Sequence, residues 1–200
     1  MELAHALDQI SEIHGQLAKS ETFRGYRPLP IALSGVVALA AALAQPYVAA
    51  AATEAGYVLY WVAMAAACGA LCGGEILYNY VAREDRFARR TTRRVVGQFA
   101  PCLAAGVAVT VGLWQLGAPG VGLLPALWTL LYGLGLFSSR PYLPRAIGYV
   151  ALFYLGAGAL LLVTGRLGLS PWDMGATFGL GQVAAAVVLH VNLKREDDRG

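Results

Sequence analysis

Cys68, Cys72, Glu75, Asn79 and Arg83 are separated by four, three, four and four positions in one largely apolar segment. At 3.6 residues per turn, that spacing puts two thiols, a carboxylate, an amide and a guanidinium on one helical face. Such a set offers three chemistries. A carboxylate inside an apolar span can relay a proton or hold an ion. Thiols with a carboxylate and an imidazole can hold zinc or copper. A pair of thiols can form a redox disulfide, although side chains one helical turn apart rarely reach disulfide geometry. The spacing Cys-x3-Cys-x2-Glu matches no metal-binding motif, so no metal and no cofactor is expected.

Gln98, Cys102 and His190 fall at a similar depth in other apolar segments. The candidate intramembrane polar site is therefore Glu75, Asn79, Cys72, Gln98, Cys102 and His190, centred on Glu75. Its rival is structural. Glu75 could be satisfied by Asn79, by a nearby Tyr, or by Arg83 through an intermediate group. The thiols could be small buried hydrophobes, and His190 an interfacial residue. Enzyme templates are missing: there is no Walker A loop, dinucleotide fingerprint, His-Glu-x-x-His or Gly-x-Ser-x-Gly, so no reaction is assigned. Gly133-x-Gly135, Gly156-x-Gly158 and Gly175-x3-Gly179 read as helix packing.

Two further segments carry charge in a pattern. Arg83, Arg86, Arg89, Arg90, Arg93 and Arg94, with Glu84 and Asp85, form a basic patch of net charge +4. The patch lacks Gly and Pro and is expected to continue the second apolar segment as a helix. It can anchor topology on lipid phosphates or dock an acidic protein partner. Nucleic acid is not expected, because no reading motif accompanies the charge. The N-terminal segment places Leu3, Leu7, Ile10, Ile13 or His14, and Leu17 at helical spacing. Its polar face is acidic, with Glu2, Asp8 and Glu12, unlike the basic face of a helix lying on anionic lipid. It is expected to pack on the basic patch or on a partner, with a merely solvated helix as the alternative.

Only a membrane can position these groups. The 200 residues are 58% hydrophobic and 14% charged, whereas soluble domains are about a quarter charged. That balance excludes a soluble globular enzyme and a disordered chain. Six stretches approach the roughly 20 apolar residues that cross a bilayer: 29–44, 57–80, 95–116, 121–137, 146–164 and 174–193. The first could run on past Pro46. The fourth is the weakest, being short and interrupted by Pro125. Tyr26, Tyr47, Tyr57, Tyr78, Tyr80, Trp114, Tyr142 and Trp172 lie near the expected interfaces, while Trp61 and Trp128 lie deeper and read as packing residues. Ser170-Pro171-Trp172-Asp173 is a good helix start, with a capping hydroxyl, Pro in the first turn and an acid at the positive end of the dipole.

Basic residues then orient the chain. Fourteen of the fifteen Lys and Arg fall on one side of these spans, and Arg166 alone on the other. The positive-inside rule makes the fourteen cytoplasmic. The expected fold is all-α: a polytopic transmembrane bundle of six spans over 29–193 with both termini cytoplasmic. A cytoplasmic amphipathic helix and juxtamembrane turn (1–28) precede it and a cytoplasmic tail (194–200) follows. Met1–Pro28 has no apolar core or cleavage site and is not a signal peptide. Thirteen Arg against two Lys, with abundant Ala and Gly, point to a GC-rich bacterial genome and so to a bacterial inner membrane.

The run from Ile13 to Arg27, then Leu29-Pro30-Ile31-Ala32-Leu33-Ser34-Gly35, resembles a group of uncharacterised bacterial multipass membrane proteins. Gln98-Phe99-Ala100-Pro101, Leu143-Pro144-Arg145 and Ser170-Pro171-Trp172-Asp173-Met174-Gly175 are similar to the same group. The resemblance implies a multi-pass membrane fold and carries no activity with it.

The functional expectation is a non-catalytic membrane component: a sensor, anchor or complex subunit that engages a partner through its cytoplasmic face. Near-absence of outer loops, the N-terminal helix and the basic patch carry it. The alternative is a small transporter or channel for an ion or apolar solute, centred on Glu75. Membrane lipids are expected partners, with a protein at the cytoplasmic face and self-association left open.

Overall fold

The computed structural model describes residues 27–48, 53–82, 86–164 and 169–197. The expected amphipathic helix over residues 1–26, and Arg83, lie outside them. Among the described residues there are six α-helices and no strand. They are α1 (Pro28–Ala44), α2 (Glu54–Ala82), α3 (Arg86–Trp114), α4 (Ala118–Ser138), α5 (Ile147–Val163) and α6 (Pro171–Asp197). All but α5 are long and apolar enough to cross a membrane. The protein is thus a helical bundle built as a multi-pass membrane protein.

Helix ends differ from the sequence expectation in instructive ways. Among the described residues α2 runs to Ala82, and the Arg-rich run from Arg86 on does not extend it. Instead, Arg86–Arg94 forms the first turns of α3. A helix unbroken through Arg94 would carry the next apolar segment away from the bilayer, so the chain has to break ahead of the arginines. Glu84 and Asp85 precede that start in sequence, where acids suit the positive end of a helix dipole. The fourth stretch, expected to be weakest, forms the 21-residue α4 and is the most enclosed of the five spanning helices. α5 has 17 residues and reaches about 25 Å at 1.5 Å each; α1 has 17 as well, but a 3-10 turn over Gln45–Tyr47 carries it on to a 20-residue span. α6 starts at Pro171, where Ser170 Oγ accepts from the Trp172 N–H at 3.3 Å, and it continues through Asp197 into the expected tail.

The helices form a ring in chain order, closed by α1 against α6 and open between α2 and α3. In lipid there is little hydrophobic drive between helices, so close backbone approach and van der Waals contact hold such a ring. Small residues mark the tightest seam. Gly175 and Gly179 of α6 lie against Ala38, Ala42 and Leu39 of α1, and Gly35 of α1 faces the Gly179 carbonyl. Gly133 and Gly158 pack α4 against α5 in the same way. One apolar cluster, including Val95, Leu136, Ile147 and Tyr154, sits towards the arginine end of the bundle. A second, including Ala42, Tyr57, Trp61, Leu124 and Met174, sits towards the other end. Tyr57, expected at an interface, is fully buried there. Gly117 makes the α3–α4 turn at φ 67° and ψ −151°, a region open essentially to glycine alone.

Candidate functional site

The open seam of the ring holds the candidate site. On α2, Trp61 donates its Nε1–H to Gln45 Oε1 at 2.8 Å. Phe99 of α3 packs onto α4, where its ring occupies the space above Gly135. The seam holds a cavity of about 450 Å3. Trp61, Ala65 and Cys68 line it from α2, and Phe99, Leu103 and Val107 from α3. Its floor is Ser34 of α1, Trp128 and Tyr132 of α4, and Phe178 and Gln182 of α6. That volume lies within the range of small-molecule sites. No Asp, Glu, His, Lys or Arg among the described residues lines it.

Polar groups in the cavity wall are few and hydrogen-bonded, as groups in an apolar medium must be. Gln182 Nε2–H donates to Tyr132 Oη at 2.7 Å. Trp128 Nε1–H donates to Thr110 Oγ1 at 2.8 Å, and Thr110 donates to its own helix at Gly106 O. Ser34 likewise donates to Ile31 O at 2.8 Å. Tyr132 is fixed by edge-to-face packing on Phe99, Tyr154 and Phe178 at 4.8–5.3 Å, the arrangement ring quadrupoles prefer.

Of the stripe expected on α2, Cys68, Cys72, Glu75 and Asn79 are buried or partly buried, and Arg83 lies outside the described residues. Cys68 lies at the cavity, its thiol 3.8 Å from Ser34 O. Cys72 packs against the apolar cluster at the arginine end, Glu75 is partly buried, and Asn79 is buried. Cys102 lines the cavity from α3. Gln98 and His190 are exposed on their helices. Among the described residues, the group that meets Glu75 is Arg27, with Nε 3.2 Å from Oε1. Asn79, a Tyr and Arg83 were the expected partners, all sought along or beside α2, and Arg83 lies outside the described residues. Arg27 lies across on the residue before α1. Its signal was its position as the last basic residue before the first span, on the arginine side. Among the described residues no three His, Cys, Asp or Glu side chains converge as metal ligands.

In the basic patch, Arg89 reaches back to α2. Its Nη2–H donates to Val81 O at 3.1 Å and its guanidinium lies 5.5 Å from the Tyr80 ring centre. A cation on the last carbonyls of a helix complements the dipole. Arg90, Arg93 and Arg94 are exposed. Gln182 and Tyr132, the polar pair at the cavity floor, were missed by sequence reasoning. The available signal was a polar side chain in mid-span on each of two apolar segments.

The chain matches no family model, no curated protein and no solved structure.

Proposed function

We propose that the chain is a six-span protein of a bacterial inner membrane with both termini cytoplasmic, and that it is a non-catalytic binding component. It holds an apolar molecule from the bilayer in the α2–α3 cavity and engages a partner through its cytoplasmic face. The observation that carries the reading is the cavity itself, which lies at the open α2–α3 seam of the ring and, among the described residues, has no acidic or basic side chain in its walls. A sensor or subunit needs such a place for its ligand and a separate surface for its partner. The exposed Arg90, Arg93 and Arg94 favour the partner surface. The transporter alternative is less well supported in its ionic form, because Glu75 is paired with Arg27 and does not line the cavity.

Topology is tested by reporter fusions. Fusions after Pro46, Ala118 and Gly168 are expected to report the outside, and fusions after Arg90, Arg140 and Gly200 the inside. An external C-terminus would mean an odd number of spans, with the short α5 the first to doubt.

Binding is tested by filling the cavity. Ala65 of α2 and Leu103 of α3 both line the cavity, so Ala65→Trp with Leu103→Trp is expected to remove most of its space. Native mass spectrometry in mild detergent is expected to show bound lipid-like adducts on the wild type and at least a tenfold smaller bound fraction on the double variant, about 1.4 kcal/mol. Adducts unchanged by the blockade, on protein that still runs as a folded species, would overturn the cavity as the binding site.

A further inference from the structure

We infer that the cavity takes an uncharged amphiphile, a hydrocarbon body ending in a hydroxyl or carbonyl group, and that Gln182 recognises its polar end; this rests on the cavity being the binding site. Four helices bring polar atoms to one part of the wall. Cys68 of α2 touches the Ser34 carbonyl of α1. Beside Ser34, the backbone of Gly35 runs so close to α6 that an added methyl would lie 3.1 Å from Gln182 Cβ. Gln182 in turn bonds Tyr132 of α4. Elsewhere the lining is mostly apolar or aromatic, with Leu103, Val107 and Val111 on α3 and Trp61 and Met174 opposite, and Thr110 has its hydroxyl already bonded to Gly106 O and Trp128 Nε1. The site therefore has a polar corner and a hydrocarbon remainder.

Chemistry then selects the ligand class. A primary amide carries two N–H donors and a carbonyl acceptor. The bond to Tyr132 uses one donor. In a membrane the rest of that capacity finds little water, and an unmet polar group is costly. A hydrocarbon chain cannot meet it, whereas a hydroxyl or carbonyl can. A charged headgroup is disfavoured, because the lining offers no counter-charge and an unpaired ion in such surroundings is expensive. One net hydrogen bond of about 0.5–1.5 kcal/mol corresponds to a preference of about two- to tenfold for the amphiphile over the matching alkane.

The test uses the full chain in proteoliposomes with two photoreactive probes of equal length, a hexadecanol and a hexadecane each bearing a mid-chain diazirine. Labelled peptides are quantified by mass spectrometry. On the wild type, the alcohol is expected to label the cavity walls of α2 and α3 about two- to tenfold more than the alkane. Gln182→Met is expected to bring that ratio to one and leave alkane labelling unchanged. A second measurement needs no variant: 2-hexadecanone is expected to compete with the alcohol label, and palmitate to compete no better than hexadecane. Equal labelling of the wild-type cavity by alcohol and alkane would overturn polar recognition and leave the cavity reading standing. A ratio that survives in Gln182→Met would overturn the role of Gln182. Labelling confined to the outer surface of the bundle would overturn both.

Discussion

Gly175→Leu is expected to eliminate most of the folded protein. A side chain at Gly175 would point into Ala42 of α1 and come within 3.1 Å of the Ala38 carbonyl. Neither obstacle can rotate away, since one is a methyl fixed to the backbone and the other is the backbone. The helices would have to separate along the seam that closes the ring. Overpacking a close interface costs about 1–3 kcal/mol and sometimes more. Here the cost falls on the most extensive helix contact in the molecule, so about 3 kcal/mol is expected. Gly35→Leu should behave alike, because it meets the Gly179 carbonyl at 2.9 Å. Gly179→Ala should be milder, since Leu39, a flexible side chain, can yield. Gly73 on α2 has nothing within 4 Å of an added Cβ, and Gly73→Leu is expected to cost nothing. The check is the monodisperse fraction on size exclusion in mild detergent and the thermal midpoint of each variant. Wild-type behaviour of Gly175→Leu would refute the α1–α6 seam. A severe loss in Gly73→Leu would show that the open face of α2 is covered, with a second copy of the chain the first occupant to test.

Gly175-x3-Gly179 was legible in the sequence as a helix contact because small residues in a membrane helix have few other uses. Its partner was not. Hydropathy delimits each helix separately and leaves open which of them meet. Ser170-Pro171-Trp172-Asp173 marked the start of α6 because capping is decided within a few residues. The basic run was harder. Its helical character was legible, but the break ahead of it depends on where the chain must turn back, which local composition does not encode. The cavity was invisible for a stronger reason. It exists where α2 and α3 fail to close, and failure to pack leaves no pattern in either helix. Gln182 and Tyr132 lie 50 positions apart and become a site only through the ring. Glu75 stood out in the sequence as a carboxylate within an apolar span and is partly buried, but Arg27 lies across the α1–α2 contact, beyond any helical periodicity.

That pairing makes opposite predictions for the two leading functions. Glu75 lies seven residues before the end of α2, about 10 Å along the helix at 1.5 Å per residue. Its side chain is 22% exposed and that of Arg27 is 52% exposed. An ion pair this open contributes modestly, about 1 kcal/mol or less. Glu75→Gln keeps the shape of the side chain and is expected to shift the thermal midpoint only slightly, with Arg27 free to turn to water or lipid phosphate. Glu75→Arg is expected to be much worse, since it sets two guanidinium groups together at the mouth of the α1–α2 contact. The double variant Arg27→Glu with Glu75→Arg restores opposite charges and should recover most of the loss. Recovery measures a coupling between the sites, which two independent defects would not produce. If Glu75 instead relays a proton or an ion, Gln cannot replace it, and the swap moves the carboxylate off α2. Proton and monovalent-cation flux in proteoliposomes then separates the cases. A wild-type flux that Glu75→Gln abolishes at unchanged thermal midpoint, and that the charge swap fails to restore, would overturn the positioning role and put the transporter reading first. Rescue of stability by the swap, with no flux that depends on Glu75, leaves the ion pair as a tie between the residue preceding α1 and the C-terminal half of α2.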